Sequence, residues 1–324
     1  MKTSPTRDKG SAKGLLVKQL TPLCQLQDLG RFGYKAFGVT HCGAIDPYSM
    51  RVANLLVGNL QGTACLEFTL AGGEFLITAK SMRIAFVGDF PLSVNGEPKN
   101  NFCSVSLEYG DKLTIGAAIG GIRGYLAVQG GFIAKQELGS YSTHLRSSLG
   151  GFDFALNLGS TLPVSNDFAV KAKEYYFRAS LRRKDRDIIR VIAGPQEDHF
   201  SEHGIDRFYS EWFSISTNSD RMGYRLENNI IEHAGDGNII SDPTVAGSVQ
   251  IPASGNPVVL MTDCPTTGGY PKIATIASID LGLLAQKGPA TQFKFQAITV
   301  AQAQCLVREQ EAFFSSFNLK LDCY

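Results

Sequence analysis

The sequence predicts a mainly β protein that contains two similar domains, and three observations lead to this prediction. The chain has 324 residues, enough for two domains of the usual length of about 100–200 residues. It contains 34 glycines, and many short apolar runs are bounded by turn-forming residues. The two halves also share an internal repeat, which indicates a duplicated domain.

The predicted strands are short runs of β-forming residues that end at Gly, Pro, Asn or Asp. An Asn-Gly pair within Val94–Glu97 predicts a tight hairpin. The clearest strand candidates are Ser81–Gly88, Lys112–Ile115, Tyr125–Val128, Val258–Thr262, Ile273–Ala277 and Gln292–Phe295.

Three segments are predicted to be helical: Pro47–Leu56, Ser278–Gln286 and Ala301–Phe314. Asp46 is suited to cap the first helix, because its carboxylate can accept from a free backbone N–H of the first turn. Pro47 suits that turn because it has no N–H to leave unpaired.

The internal repeat joins matching segments at nearly the same offset. Arg31–Lys35 (RFGYK) resembles Arg221–Arg225 (RMGYR), and Arg83–Ala85 resembles Lys272–Ala274. Between them, the segments 66–78 and 249–262 both have the pattern strand, glycine turn, strand. Matches in the same order predict a duplicated β domain, and chance similarity between two glycine-rich halves is the alternative.

Composition places the domain boundaries. Residues 171–190 are rich in charge and lack glycine, so we expect the junction at 165–187. The polar, basic start, residues 1–14, is expected to be disordered. The predicted domains are therefore residues 15–165 and 188–310.

Charge and cysteine content exclude several classes of protein. The 31 basic and 30 acidic residues balance, so we expect no nucleic-acid or membrane partner. The 7 cysteines are odd in number and contain no C-x-x-C pair, which argues against a disulfide framework or a metal site. No apolar run approaches the roughly 18–20 residues of a membrane span. We expect a cytoplasmic protein.

The first candidate site lies within residues 27–59, where Asp28 and Arg31 stand among glycines. A fixed carboxylate–guanidinium pair of these residues is suited to orient a substrate carboxylate. The alternative interpretation is a structural ion pair together with a helix cap at Asp46.

The second candidate site is Ser219–Leu226, which includes Arg221 and Tyr224. Guanidinium groups bind carboxylates and other anions through paired hydrogen bonds, so these residues are candidates for substrate binding. The alternative is a hairpin with exposed arginines.

The third candidate site combines Ser241–Gln250 with Asp263–Lys272. Asp263 is a candidate base, and Tyr270 and Lys272 are candidate donors to a developing oxyanion. The candidates for substrate binding carry hydroxyl, amide or glycine N–H groups: Gln250, Thr266, Thr267, Gly268 and Gly269. The alternative is a long exposed turn.

The segments that contain these candidates resemble one family in sequence and order. The shared segments are QDLGRFGY, HCGAIDPYSMRVANLLVGN, LEFTLAGG, GIRGYLAVQGGF, LGSYST, SDRMGYRL, GSVQIP and TTGGYPKIATI. The family is that of the 5-oxoprolinase C subunit, also called allophanate hydrolase subunit 2, which is similar to the C-terminal half of the urea carboxylase carboxyltransferase domain. The resemblance runs from Leu15 to Ala303. It implies two cyclophilin-like β-barrel domains in tandem with a few short helices.

The resemblance also implies an activity that needs partners in a hetero-oligomer. With the A and B subunits, the family opens 5-oxo-L-proline to L-glutamate at the expense of ATP, and this chain alone is expected to bind no cofactor. One alternative is a carboxyltransferase lobe of a urea or allophanate pathway that receives carboxybiotin in trans. Another is a regulatory binding protein associated with kinase inhibition. Pro265 replaces a glutamine that is common in the family, which leaves the substrate open.

Overall fold

The computed structural model describes residues 13–152, 156–165, 174–179, 182–183, 185–317 and 321–323. The expected disordered start lies outside these ranges up to residue 12. Parts of the expected domain junction also lie outside them.

Strands dominate the described chain, as the sequence predicts. In the first half they are β1 Gly14–Leu20, β2 Gln25–Gln27, β3 Cys65–Thr69, β4 Ala71–Ile77, β5 Ser81–Val87, β6 Leu92–Val94, β7 Glu97–Lys99, β8 Cys103–Glu108, β9 Lys112–Ala117, β10 Arg123–Val128, β11 Thr161–Pro163 and β12 Tyr175–Phe177. In the second half they are β13 Ile188–Ala193, β14 Phe213–Ile215, β15 Gly223–Glu227, β16 Asp242–Pro243, β17 Ser248–Gln250, β18 Val258–Leu260, β19 Thr267–Gly268, β20 Lys272–Ile276, β21 Gln292–Ala297 and β22 Leu321–Cys323.

The α-helices of the described chain are α1 Pro47–Leu56, α2 Glu202–Ser210, α3 Ser278–Gln286 and α4 Val300–Ser315. The three predicted helices are confirmed, and Asp46 caps α1 by accepting from Ser49 N. The sequence analysis missed α2, in which Gly204 suggests a break. A glycine is needed there because a Cβ would lie 2.4 Å from the carbonyl oxygen of Glu232.

The first sheet contains β1 to β12 and β22, and its central strands β5, β10 and β3 are covered on both faces. Because side chains alternate along a strand, Leu66, Phe86 and Leu126 face the main core of the first half. Tyr125 and Ala127 face a second core that contains α1 and the end of α4. All residues of β5 and β10 are consequently buried.

The second half forms a closed seven-stranded barrel in the order β13-β20-β17-β18-β15-β14-β21. Parallel pairing of β13 with β21 closes the barrel. Its core contains stacked aromatic rings, including Phe208 of α2 against Phe295 of β21 at 4.5 Å. Ile45, from the first half of the chain, also packs in this core, so the two halves share buried contacts.

The last helix returns to the first half of the chain. Phe314 and Phe317 of this C-terminal segment pack with α1 and Phe177. The Arg51 guanidinium lies 3.7 Å from the centre of the Phe314 ring and forms an ion pair with Glu311. The end of α4 therefore packs on the first half, while α4 also contacts α3 of the second half.

The proposed internal repeat has mixed outcomes. Arg83–Ala85 and Lys272–Ala274 both lie in strands, and the segments 66–78 and 249–262 each contain two antiparallel strands. Arg31–Lys35 instead leads into a 3-10 helix at Lys35–Phe37, whereas Gly223 begins strand β15. The RFGYK and RMGYR segments are therefore not structural equivalents.

The hairpin prediction is confirmed, because β6 and β7 are joined by Asn95 and Gly96 with φ values of 54° and 84°. Two positive φ angles are what a tight hairpin turn requires. In the part of the chain that the structure describes, no helix is long and apolar enough to cross a membrane.

We expect Phe314→Ala to destabilise the protein by about 3–5 kcal/mol, because the change removes a buried aromatic ring and leaves a cavity. Urea denaturation measures the free energy of unfolding. Val307→Ala on the exposed side of α4 is the control, with an expected change within about 0.5 kcal/mol. Equal effects of the two variants would contradict the docking of α4.

Candidate active site between the two halves

Arg221 joins the two halves of the protein. Its Nε and Nη2 atoms each donate to the Asp263 carboxylate at 2.9 Å. Its Nη1 atom donates to Glu67 of β3 at 2.5 Å, and Nη2 reaches the Gly43 carbonyl oxygen at 2.7 Å. Burial disfavours the charged form of Arg221. The nearby carboxylates of Glu67 and Asp263 have the larger effect and raise the pKa of Arg221 well above its ordinary value. Arg221 is therefore a permanent cation between two carboxylates.

Glu67 is held in place by its own strand and by the adjacent strand. It lies opposite Tyr125 of β10, whose hydroxyl donates to Glu67 Oε2 at 2.7 Å. The same oxygen accepts from Ile45 N at 2.9 Å. Burial and the nearby Glu67 raise the pKa of Tyr125 well above its ordinary value, so the hydroxyl keeps its proton and donates. The carboxylate is thereby presented to Arg221.

A cavity of about 260 Å³ lies beside this network. Its walls come from both halves of the chain and contain three guanidinium groups. The residues that line it are Leu23, Gln25, Thr69, Arg123, His144, Leu145, Arg146, Ser219, Asp220, Arg221, Met222 and Asp263.

The three arginines of the cavity differ in how their charges are used. Arg123 donates through Nη1 to Thr69 Oγ1 and through Nη2 to the Tyr224 hydroxyl at 3.0 Å. Its buried Nε has no partner among the described residues. Arg221 is bound by carboxylates. Arg146 is exposed and forms no ion pair with any residue of the described chain. The cavity therefore offers an unpaired cation at its edge.

His144 supplies an uncharged polar group to the same cavity. The residue is only 5% exposed, and neither ring nitrogen has a hydrogen-bond partner within the described ranges. Burial lowers the pKa of His144; Asp263 raises it, and Arg31, Arg221 and Arg146 lower it further. Because the pKa of His144 is lowered overall, its ring is neutral at pH 7 and has one donor and one acceptor nitrogen.

The structure brings Arg221 and Asp263 together but gives Tyr224 a different position from the one expected. Tyr224 is 2% exposed, accepts from Arg123, and donates to the Ala285 carbonyl oxygen at 3.3 Å. It does not line the cavity, because its hydroxyl is used within the protein. Tyr224 orients Arg123 instead of offering a free group to a ligand.

The expected pair of Asp28 with Arg31 is wrong. The Asp28 carboxylate accepts from the Ser140 and Ser142 hydroxyls, both at 2.6 Å, and from the backbone N–H of Tyr141 at 2.7 Å. Arg31 donates to the Ser142 carbonyl oxygen, and its buried Nε and Nη1 have no partner in the described part of the chain. Asp28 therefore anchors the segment that precedes His144.

The third predicted site is divided between two places. Asp263 lies at the cavity, whereas Lys272 Nζ donates to Asp242 at 2.5 Å on the barrel. Gln250 donates to the Tyr270 carbonyl oxygen at 3.3 Å, and Tyr270 is 42% exposed. The strand pairing of β16 with β19 explains the division, because it carries the chain after Asp263 away from Arg221.

The remaining candidates of that segment lie in or next to the two-stranded sheet of β16 and β19, whose Asp242 pairs with Lys272. Gly268 lies in β19 opposite Asp242, and the Gly269 carbonyl oxygen accepts from Ile239 N, so the anion nest at these two glycines stays a prediction. Thr267 pairs with Pro243 in the same two-stranded sheet, and the Thr266 carbonyl oxygen accepts from Thr244 N.

The sequence analysis missed Glu67, Arg123, His144 and Arg146. Glu67 and Arg123 carried a usable signal, because each is a charged residue within a strand that is otherwise buried. Such residues are almost never fully buried without a partner. His144 and Arg146 lie in a loop around a 3-10 helix at Leu145–Ser147 and have no such pattern.

Comparison with known proteins identifies relatives over nearly the whole chain. A model of the family "Carboxyltransferase domain, subdomain A and B" matches residues 37–297. The C subunit of 5-oxoprolinase from Haemophilus influenzae is 35% identical over 299 residues, which are 92% of this chain and 95% of that protein. The protein of the same name from Escherichia coli is 33% identical, over 91% of this chain and 95% of that protein.

A solved structure has the same fold. The urea amidolyase of K. lactis superposes with a TM-score of 0.87 at 26% identity, over 96% of this chain. The match covers 20% of that protein, so this chain spans about a fifth of the urea amidolyase.

We expect Arg221→Met to destabilise the protein by about 3–5 kcal/mol, because it leaves the buried carboxylates of Glu67 and Asp263 without their cation. Arg225→Met changes an exposed arginine of the same segment and is the control, with an expected loss within about 0.5 kcal/mol. Urea denaturation measures both. Adding Glu67→Gln to Arg221→Met is expected to recover part of the loss, and strictly additive losses would contradict the ion pair.

Proposed function

The chain belongs to the family of the carboxyltransferase domain, subdomains A and B, and we propose that it is the C subunit of an ATP-dependent 5-oxoprolinase. In this proposal it acts with the A and B subunits to open 5-oxo-L-proline to L-glutamate. The likeness to two proteins named as this component of 5-oxoprolinase, over 95% of their lengths, supports the proposal.

The observation that carries the proposal is the arginine-lined cavity between the two halves. The substrate is a small lactam with one carboxylate, and opening its ring places negative charge on the carbonyl oxygen. Guanidinium groups suit both tasks, since they pair with carboxylates and stabilise developing oxyanions. We assign substrate binding to this cavity, and Asp263, held by Arg221, is the carboxylate available for proton transfer there.

The A subunit is proposed to take part in the ATP-dependent step, and the B subunit is proposed to dock beside the cavity. We place this docking face where the two halves meet, at the point where Lys35 Nζ donates to the Thr244 carbonyl oxygen at 3.0 Å. Ile239 N also donates to the Gly269 carbonyl oxygen. The exposed side chains of this docking face are Phe32, Phe37, Ile240, Val245 and Tyr270.

Large exposed apolar patches in soluble proteins mark interaction sites. On the docking face, the Phe37 side chain is 80% exposed and that of Ile240 is 94% exposed. Lys272 and Asp242 lie beside this face, and we propose that the docked B subunit encloses them. The cysteines at positions 24, 42, 65, 264 and 305 form no disulfide with any described residue, which supports a reducing cytoplasm as the location.

A second candidate function is a carboxyltransferase lobe that uses urea, favoured by the TM-score of 0.87 with the K. lactis urea amidolyase. Carboxybiotin would then reach this chain in trans. Bicarbonate- and urea-dependent ATP turnover that avidin blocks would support this function against the first.

We expect the chain mixed with its A and B subunits to release glutamate from 5-oxo-L-proline only when ATP is present. The measurement is glutamate formation over time, with each component omitted in turn as the control. Glutamate release by this chain alone would contradict the need for partners. Turnover of urea in place of 5-oxo-L-proline would favour the second candidate function.

We expect Ile240→Glu to weaken co-elution with the B subunit in size-exclusion chromatography, because it places a charge in the apolar docking face. Leu158→Glu is the matched control: Leu158 is 75% exposed and lies next to β1, where Gly159 N donates to the Val17 carbonyl oxygen. Co-elution that is unchanged by Ile240→Glu, or equally weakened by Leu158→Glu, would exclude this face as the docking site.

A further inference from the structure

A second cavity, of about 320 Å³, lies where the two halves meet and has no role in the proposed function. Part of its lining comes from the turn after β5 and from Phe102, which precedes β8. Asn101 joins these two segments, because its side chain donates to the Gly88 and Phe90 carbonyl oxygens at 2.8 and 2.7 Å. The end of α3 lines the cavity from the second half. Asp89 and Phe102 therefore lie in adjoining segments of one wall.

This second cavity is separate from the one beside Arg221. In the part of the chain that the structure describes, no residue lines both cavities. Gln286 of α3 connects them: it lines the second cavity, and its Oε1 accepts at 3.0 Å from the backbone N–H of Arg123, which lines the first. A ligand in the second cavity would therefore meet a different set of side chains.

Most of the charges that line the second cavity are paired within the protein. Three carboxylates and three cations line it, so it has no net charge. Arg183 Nη2 lies 2.8 Å from the buried Asp46 carboxylate, and Lys287 Nζ lies 3.1 Å from the Asp185 carboxylate. The charges of these four side chains are balanced without a ligand.

The other two charges of the second cavity, Arg182 and Asp89, have no ionic partner among the described residues. The Arg182 guanidinium carbon lies 3.9 Å from the centre of the Phe102 ring. A guanidinium stacked on a ring keeps its N–H groups in its own plane, where they are free to bind a carboxylate. The Asp89 carboxylate accepts from Gly121 N at 3.2 Å, which leaves further lone pairs for a second donor.

We propose that the second cavity binds a small zwitterion, an α-amino acid, whose carboxylate pairs with Arg182 and whose ammonium group pairs with Asp89. Single unpaired charges are common on protein surfaces, but here two of opposite sign line one cavity without pairing with each other. A zwitterion gives each of them a partner, whereas a simple anion or cation leaves one unpaired. The volume of about 320 Å³ suits a small molecule, since ligand pockets measure about 300–1,000 Å³.

The test uses L-alanine as the probe, together with two molecules that each lack one of its charges. Propionate lacks the ammonium group, and ethylamine lacks the carboxylate. Ligand-observed NMR titration of the full chain measures the Kd of each. We expect L-alanine to bind at least about tenfold more tightly than either fragment, because each fragment loses one hydrogen bond between charged groups.

Variants assign each charge of the probe to its partner. Arg182→Met is expected to weaken L-alanine about ten- to a hundredfold and to leave ethylamine unchanged. Asp89→Asn retains an acceptor for Gly121 N and is expected to weaken L-alanine to a similar degree while leaving propionate unchanged. Thermal unfolding confirms that each variant is folded.

Arg146→Met, in the cavity beside Arg221, is the charge-matched control and is expected to leave the Kd of L-alanine unchanged. Three results would overturn the inference: a chain that does not bind L-alanine, L-alanine binding by either variant that equals that of the wild type, and a loss of binding in Arg146→Met. The last result would place the probe in the first cavity.

Discussion

The ion pairs of Arg221 are the interaction on which the arrangement of the two halves depends. Glu67 belongs to the first sheet and Asp263 to the barrel, and each is almost inaccessible to water. A buried carboxylate without a partner is strongly unfavourable, so neither residue is tolerable unless Arg221 lies between them. Glu67 in turn binds Tyr125, whose hydroxyl accepts from Asp46 N at the start of α1. One continuous network thus fixes the first sheet, α1 and the barrel relative to each other.

The same network determines the chemistry of the cavity. Because the carboxylates use the charge of Arg221, that residue forms a rigid wall, and the recognition of a ligand falls to neighbouring groups. Arg123 is oriented by Tyr224 across the junction, and Asp28 anchors the segment that leads to His144. The site therefore requires both halves. This explains why the polar groups that a ligand needs are spread over distant parts of the sequence.

Much of the fold follows from local sequence patterns, but the site does not. Strand runs and the predicted helices depend on neighbouring residues, and all three helices are confirmed to within one residue at each end. Grouping Asp263 with Lys272 assumed that closeness in sequence means closeness in space. The pairing of β16 with β19 separates them instead. The contact of Arg221 with Glu67 joins residues 154 positions apart, and nothing local predicts it.

A crystal structure of the assembly of this chain with its B subunit, soaked with 5-oxo-L-proline, tests the central claim most directly. The account predicts ligand density in the cavity between the two halves, beside Arg221 and Asp263. Ligand bound at Lys272 and Tyr270 on the barrel, or wholly within the partner protein, would contradict it. So would a cavity that stays empty in the assembly.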